Sequence, residues 1–362
     1  MKRFLFVLLI MTSAALILLT SCRPPELEGI VLDIKQQRFD QALENAKEAV
    51  KKYPDNPEAW YLLGFLYGKK GQFKEMSEAF DKALSIDPNK PVTVNGVEIP
   101  LKNAIERIRM QYFVENHNSG IKIYNQALQT SDPAEKEKLL KEAAQKFLNA
   151  HYAYPSRTEP LQPLALVYLQ LHDTSSAEQY FLETLKNNAN NDTIVSMVGD
   201  FYFQIGKKDK AKEMYEKSLQ INPNNANSLV QLGQLEALSG NWESAVEHFN
   251  KALAINPDNK DLAFNIALSY YKLERYEEAI PFLKKVIAAE PDNEQAYEML
   301  GLCYIQSKKY QEAATFLEDA VKRFPDSHYL WNYLAVAYAN LGDVKKAEEA
   351  NKKAKELEKQ GS

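Results

Sequence analysis

Residues 226–259 read ANSLVQLGQLEALSGNWESAVEHFNKALAINPDN, and this stretch decides the fold. At a period of 3.6 residues it carries two apolar seams. Leu229, Leu232, Gly233 and Leu235 form the first, and Ala245, Phe249 and Ala252 form the second. Gly240 and Asn241 interrupt the pattern between them. Pro257 ends the second seam, because proline has no amide hydrogen and its ring clashes with the preceding turn. The stretch is therefore predicted to be a hairpin of two amphipathic helices.

The pattern recurs every 34 residues, with frames opening at Thr158, Asp192, Ala226, Lys260, Glu294 and His328 and an earlier one at Pro57. The fourth place holds Trp60, Leu161, Val195, Leu229, Ala263, Tyr297 and Trp331. The seventh holds Leu63, Leu164, Val198, Leu232, Ile266, Leu300 and Leu334. The eighth is always small: Gly64, Ala165, Gly199, Gly233, Ala267, Gly301 and Ala335. The eleventh is tyrosine at 67, 168, 202, 270, 304 and 338, with Glu236 the exception. The twentieth is alanine in every frame but the first, where Met76 stands. Small residues at places eight and twenty let two helices approach closely, while large residues at four, eleven and twenty-four are expected to fill the gaps between hairpins. One hairpin buries a handful of side chains at roughly 1.5–3 kcal/mol each, which cannot offset about 1–2 kcal/mol of backbone entropy per residue. The hairpins must stack to be stable.

These residues and this period closely resemble the tetratricopeptide repeat (TPR) family. The resemblance implies an all-α fold, a right-handed superhelical solenoid of helix-turn-helix repeats. It also implies a concave groove lined by places two, five, six, nine, twelve and thirteen of the first helices. Carried onto this chain, those places include Tyr61 and Phe65, then Asp200, Phe203, Gln231, Gln234, Phe264, Asn265, Tyr271, Glu298, Asn332 and Tyr333. Amides and aromatics of this kind suit an extended peptide or a docked helix. The lysine, asparagine and arginine set with which chaperone-binding members of the family grip a C-terminal carboxylate is missing. The simpler reading of each groove residue is packing between repeats, and the polar Asn265, Gln234 and Asn332 fit that reading least.

Outside the regular array the pattern loosens. Residues 1–21 begin with Lys2 and Arg3, continue apolar from Phe4 to Leu19, and end in Leu-Thr-Ser before Cys22, the layout of a secretory signal. The end of this segment resembles the bacterial lipoprotein signal, which implies cleavage before Cys22, acylation of its sulfur (palmitate among the chains) and durable attachment to a bilayer. Arg23 after the cysteine implies the outer membrane, facing the periplasm, by the sorting rule of such proteins. An ordinary signal or a short membrane anchor is the plainer alternative. Residues 22–56 are expected to form a degenerate N-terminal capping repeat and 57–90 the first clear repeat. Residues 91–157 hold an insertion and an extended hairpin. Within them Val92–Ile99 alternates about Asn95-Gly96, a strong β-hairpin signal because both turn residues tolerate positive φ. A helix from Leu101 to about Thr130 follows, and Ala143, Phe147, Ala150 and Pro155 restore the second-helix pattern. The insertion is either surface decoration or a docking element. Six repeats then run unbroken: 158–191, 192–225, 226–259, 260–293, 294–327 and 328–361. The last ends in a charged capping helix with Asn351 at place twenty-four.

The formal charge of −5, or −7 once Lys2 and Arg3 leave with the signal, gives no footprint for nucleic acid or anionic lipid. His117, His151, His172, His248 and His328 are scattered, and no metal, nucleophile or phosphate-loop motif accompanies them. Cys303 falls on an inward part of a first helix and reads as a small buried hydrophobe. No catalytic residue, cofactor or metal is expected. The sequence thus points to a non-enzymatic scaffold that binds a protein or peptide partner and meets the membrane through its lipid. A glycan-binding lipoprotein is the alternative, and oligomeric state stays open.

Overall fold

The computed structural model describes residues 23–94 and 97–360, so the signal-like run, Cys22 and the Asn95-Gly96 pair lie outside the described residues. Among them stand 18 helices and two short strands. The helices divide into two units, one ending at Asn187 and the other starting at Asn188.

The first unit holds α1 (Pro25–Lys35), α2 (Phe39–Lys52), α3 (Pro57–Lys69), α4 (Phe73–Ile86), α5 (Leu101–Gln129), α6 (Pro133–Ala153), α7 (Leu161–Gln170) and α8 (Thr174–Asn187). Between α4 and α5, β1 (Pro91–Val94) and β2 (Val97–Pro100) pair antiparallel, with Val92 opposite Ile99 and Thr93 opposite Glu98. Val92 is buried in the cluster that also contains Leu101, Ala104 and Ile105, so the hairpin is pinned on the start of α5. Helix α7 is the shortest of the unit. Pro160 and Pro163 at its start remove two amide donors.

The second unit holds α9 (Asp192–Gln204), α10 (Lys208–Ile221), α11 (Ala226–Leu238), α12 (Trp242–Ile255), α13 (Lys260–Lys272), α14 (Tyr276–Ala289), α15 (Glu294–Gln306), α16 (Tyr310–Arg323), α17 (His328–Leu341) and α18 (Val344–Gln360). Each helix packs on its neighbours in sequence, and first helices of successive repeats also touch, as α15 does α17. The C-terminal helix α18 is largely solvated but buries Ala350, Ala354 and Leu357.

Local chemistry sets these boundaries. Asparagines 56, 191, 225, 259 and 293 cap first helices, each side-chain oxygen accepting a free amide of the opening turn. The fifteenth place of every frame is left-handed. Gly71, Gly206, Gly240 and Gly342 serve there at φ of 73–82°, and His172, Glu274 and Lys308 do so at 58–59°. Trp60 and Trp331 donate their indole N–H to the carbonyls of Pro54 and Pro325, at 2.8 and 2.9 Å, which satisfies the one polar atom of each ring.

The large residue at place twenty-four makes one contact beyond the sequence expectation. It lies against place eight of its own hairpin as well as between hairpins, where Phe249 shares a buried cluster with Leu262 and Ile266 of the next repeat. A Cβ added to Gly233 would fall 2.6 Å from the Phe249 ring, and one added to Gly199 2.5 Å from Tyr215. Tyrosines at place eleven likewise stack inside their own hairpins: Tyr168 on Tyr180 with ring centroids 5.6 Å apart, Tyr270 on Phe282 at 5.9 Å.

Candidate functional site

The small residue at place eight turns its side of each first helix inward, and so decides which side chains remain for binding. In the second unit, Gln234, Ala237 and Leu238 of α11 and Asn265, Leu268 and Ser269 of α13 bound a pocket of about 360 Å³. Trp242 and Phe249 of α12 close it. Ser269 spends its hydroxyl on the carbonyl of Asn265, at 2.8 Å. The side-chain amides of Gln234 and Asn265 have no partner among the described residues. Each offers two donors and an acceptor. Leu238 is 63% exposed at the rim, a large apolar side chain left in water beside those amides.

A second group lies further along the same unit. Glu298 accepts the Ser327 hydroxyl at 3.1 Å, and burial raises its carboxyl above the usual range. Burial, and then the negative charge of Glu298, raises the Tyr333 hydroxyl, which also responds to Tyr271. Tyr271 meets Tyr276 edge to face at 5.5 Å. Glu298, Tyr271 and Tyr333 thus share one neighbourhood. Phe264 is taken up by packing against Ala263, Val286 and Ala296. Asn332 stands apart in a shallow pocket of about 380 Å³ bounded by α17 and α18.

Asp200 is fully engaged. It accepts the Tyr215 hydroxyl at 2.8 Å and the Asn227 amide at 3.1–3.2 Å, and burial raises its carboxyl. Asn227 also donates to Ser196, and the hydroxyls of Ser228, Ser196 and Ser218 form a buried chain at 2.8–2.9 Å. This polar seam ties the repeat at 192–225 to the next. Phe203 and Gln231 are half-buried.

In the first unit, Tyr61 stacks on Phe80 with centroids 6.1 Å apart, and burial pushes its hydroxyl up to about 12. Phe65 packs on the cluster around Leu62 and Leu66, with the Lys69 ammonium 5.4 Å from its ring centre. Both are packing residues first. Sequence reasoning missed the groove residues of α5, since an enlarged hairpin hid the frame. The structure supplies it: a Cβ added to Gly120 would fall 2.8 Å from the Phe147 ring, which makes Gly120 place eight and puts Val114, His117, Asn118, Ile121, Tyr124 and Asn125 at groove places. It also missed Trp242. The signal was there, in an indole at place seventeen where the other frames have Phe73, Thr174, Lys208, Tyr276, Tyr310 and Val344. Among the described residues no group of three or more His, Cys, Asp or Glu is placed to hold a metal ion.

Comparison with known proteins follows the same lines. The family model for the tetratricopeptide repeat protein 21 C-terminal ARM domain matches residues 106–295, and tetratricopeptide repeat models match 264–327, 33–92 and 304–361. The type IV pilus assembly protein PilF of Pseudomonas aeruginosa is 26% identical over 155 residues, which are 40% of this chain and 59% of that relative's length. Among solved structures, YrrB, a TPR protein with an unusual peptide-binding site, is similar over 49% of this chain and 91% of its own, at 20% identity and a TM-score of 0.45. A tetratricopeptide repeat protein from Parabacteroides merdae is similar over 68% of this chain and 93% of its own, at 18% identity and a TM-score of 0.45. With a family model covering more than half of the residues and a helix pair in each 34-residue frame, the chain belongs to the tetratricopeptide repeat family.

Proposed function

We propose that this chain is a non-enzymatic scaffold that holds an extended segment of a protein partner in the groove of its second unit. The observation that carries the reading is the pair of unengaged amides, Gln234 and Asn265, on successive first helices beside Trp242 and the exposed Leu238. A side-chain amide presents a donor and an acceptor together, as a peptide bond does, so two of them one repeat apart can hold a backbone while the apolar rim takes a side chain. Glu298, Tyr271 and Tyr333 extend the surface available to the partner. The similarity to a protein named for type IV pilus assembly supports a place in the bacterial envelope. Acylation at Cys22 would tether the chain to the outer membrane. Among the described residues no helix is long and apolar enough to cross a membrane.

The test is capture from cross-linked membranes with the wild type and with a Gln234→Ala, Asn265→Ala variant. The wild type is expected to retain a protein that the variant retains about 5- to 150-fold less well, at roughly 0.5–1.5 kcal/mol for each of two lost hydrogen bonds. Failure of the wild type to retain any protein refutes the reading. Trp242 beside two amides also suits a sugar ring, which favours the glycan-binding alternative. Calorimetric titration with cell-wall fragments separates them, since a protein scaffold shows no heat of binding there. Labelled palmitate entering the wild type but not Cys22→Ser tests the anchor.

A further inference from the structure

Helix α5 is 29 residues long, about twice the length of the regular first helices, and one of its faces is dressed for a partner that the fold does not supply. Val114, Ile121 and Leu128 are 43%, 40% and 51% exposed. They stand seven residues apart, so they form one row along the helix, and Arg107 opens the same row one heptad earlier. Beside that row runs a second of exposed amides, Gln111, Asn118 and Asn125, at the same spacing. Half-buried Met110, His117 and Tyr124 join the apolar row to the core and widen it into a band. The Nδ1 atom of His117 is buried there with no hydrogen-bond partner, its ring stacked on Phe113 at 5.5 Å.

We propose that this band is a second docking site, distinct from the Gln234–Asn265 groove, and that its occupant is an acidic amphipathic helix of a partner protein. Spacing selects a helix: apolar side chains about 10.5 Å apart match a heptad repeat, whereas same-face residues of a strand recur every 6.6–6.8 Å or so. Charge selects the partner's sign. From Arg107 to the end of α5 the carboxylate is Glu115 alone, while Arg107 and Lys122 are exposed and form no ion pair among the described residues. Arg109, the remaining cation of this stretch, is engaged by Asp81 and Ser77. A partner helix bearing apolar residues at the heptad spacing and a carboxylate opposite Arg107 satisfies both rows at once. A second copy of the chain fits less well, since parallel pairing of two α5 helices sets Arg107 against Arg107.

The experiment uses the full chain and two labelled 22-residue helical probe peptides, with leucine and isoleucine at heptad positions and either glutamate or lysine on the flanks. Fluorescence anisotropy is expected to show tighter binding of the glutamate probe. Ile121→Asp should weaken it at least about 10-fold, the loss of one well-buried apolar contact, and Arg107→Glu should transfer the preference to the lysine probe. Both substitutions are at exposed positions, and circular dichroism checks the fold. Should Ile121→Asp unfold the chain, the Arg107→Glu exchange decides alone. Equal binding of the two probes overturns the proposal, as does binding indifferent to both substitutions. So does a sedimentation result in which the wild type dimerises and Ile121→Asp is monomeric, which would give the face to a second copy. The Gln234→Ala, Asn265→Ala variant should bind the glutamate probe as the wild type does, and equal weakening there would place the probe in the other groove and refute this site.

Discussion

Replacing Gly233 by alanine tests the claim that a ring pressed on a glycine sets the spacing of a hairpin. The added Cβ would fall 2.6 Å from Cε1 and 2.7 Å from Cδ1 of Phe249, closer than real carbon contacts allow. Phe249 is 1% exposed, so the ring can shift only toward the pocket it closes with Trp242. Overpacking of this kind costs roughly 1–3 kcal/mol, and alanine's better helix propensity returns about 1 kcal/mol of it. The hairpin of α7 and α8 accommodates Ala165 and Phe181 together, both buried, which sets the expected net loss at the lower end, about 1 kcal/mol. Phe249→Leu alone should cost about 1–2 kcal/mol through the cavity it leaves. The double variant recreates the pair already found, fully buried, as Ala267 and Leu283 in α13 and α14, so the clash disappears. The cycle should therefore show a favourable coupling of about 1 kcal/mol. Stacked repeats open segment by segment, so the assay is hydrogen exchange of the amides in residues 226–255, alongside urea unfolding of the whole chain. Additive effects, or a Gly233→Ala variant as stable as the wild type, would refute the reasoning.

Lys308 occupies the left-handed turn position at φ 58°, which strains a side chain bearing a Cβ, so Lys308→Gly should raise the urea midpoint by the equivalent of about 0.5–1 kcal/mol, whereas Gly240→Val should lower it. Burial holds the imidazoles of His117 and His151 below their usual 6.5, so the folded state stays neutral where the unfolded chain takes up protons. That stability is present above pH 6.5 and lost as the pH falls through it. The urea midpoint should be lower at pH 5.5 than at 7.5, and His117→Phe should flatten the difference. Cys303 is fully buried, with its thiol pushed up to about 12, so Ellman's reagent should leave it unmodified in the native protein and label it in denaturant. Rapid native labelling would contradict the described packing.

Particular residues show how far the sequence could be read. The 34-residue period, the glycine or alanine at place eight and the alanine at place twenty made the helical hairpins legible, because close helix approach demands small side chains whatever surrounds them. Asn-Gly between alternating residues announced a β-hairpin for the same local reason. Groove side chains were another matter. Asp200 and Asn265 occupy equivalent-looking polar places, yet Asp200 is consumed by Tyr215 and Asn227 while Asn265 is free. Nothing local to either residue distinguishes them. The difference lies in which side chains the neighbouring repeat brings within reach.

What the sequence determined by itself is the repeating unit: period, helix faces, caps and turns follow from interactions no more than a few residues apart, repeated often enough to be unmistakable. The tertiary structure alone decided which polar groups are spent and which are left over. It showed Gly120 against Phe147, which gave α5 its frame and exposed the row of Val114, Ile121 and Leu128. It likewise set Gln234, Asn265 and Trp242 around one pocket. The physical reason is that a hydrogen bond or a buried face is satisfied by whatever atom arrives, and arrivals from 15 to 35 residues away depend on how the hairpins stack.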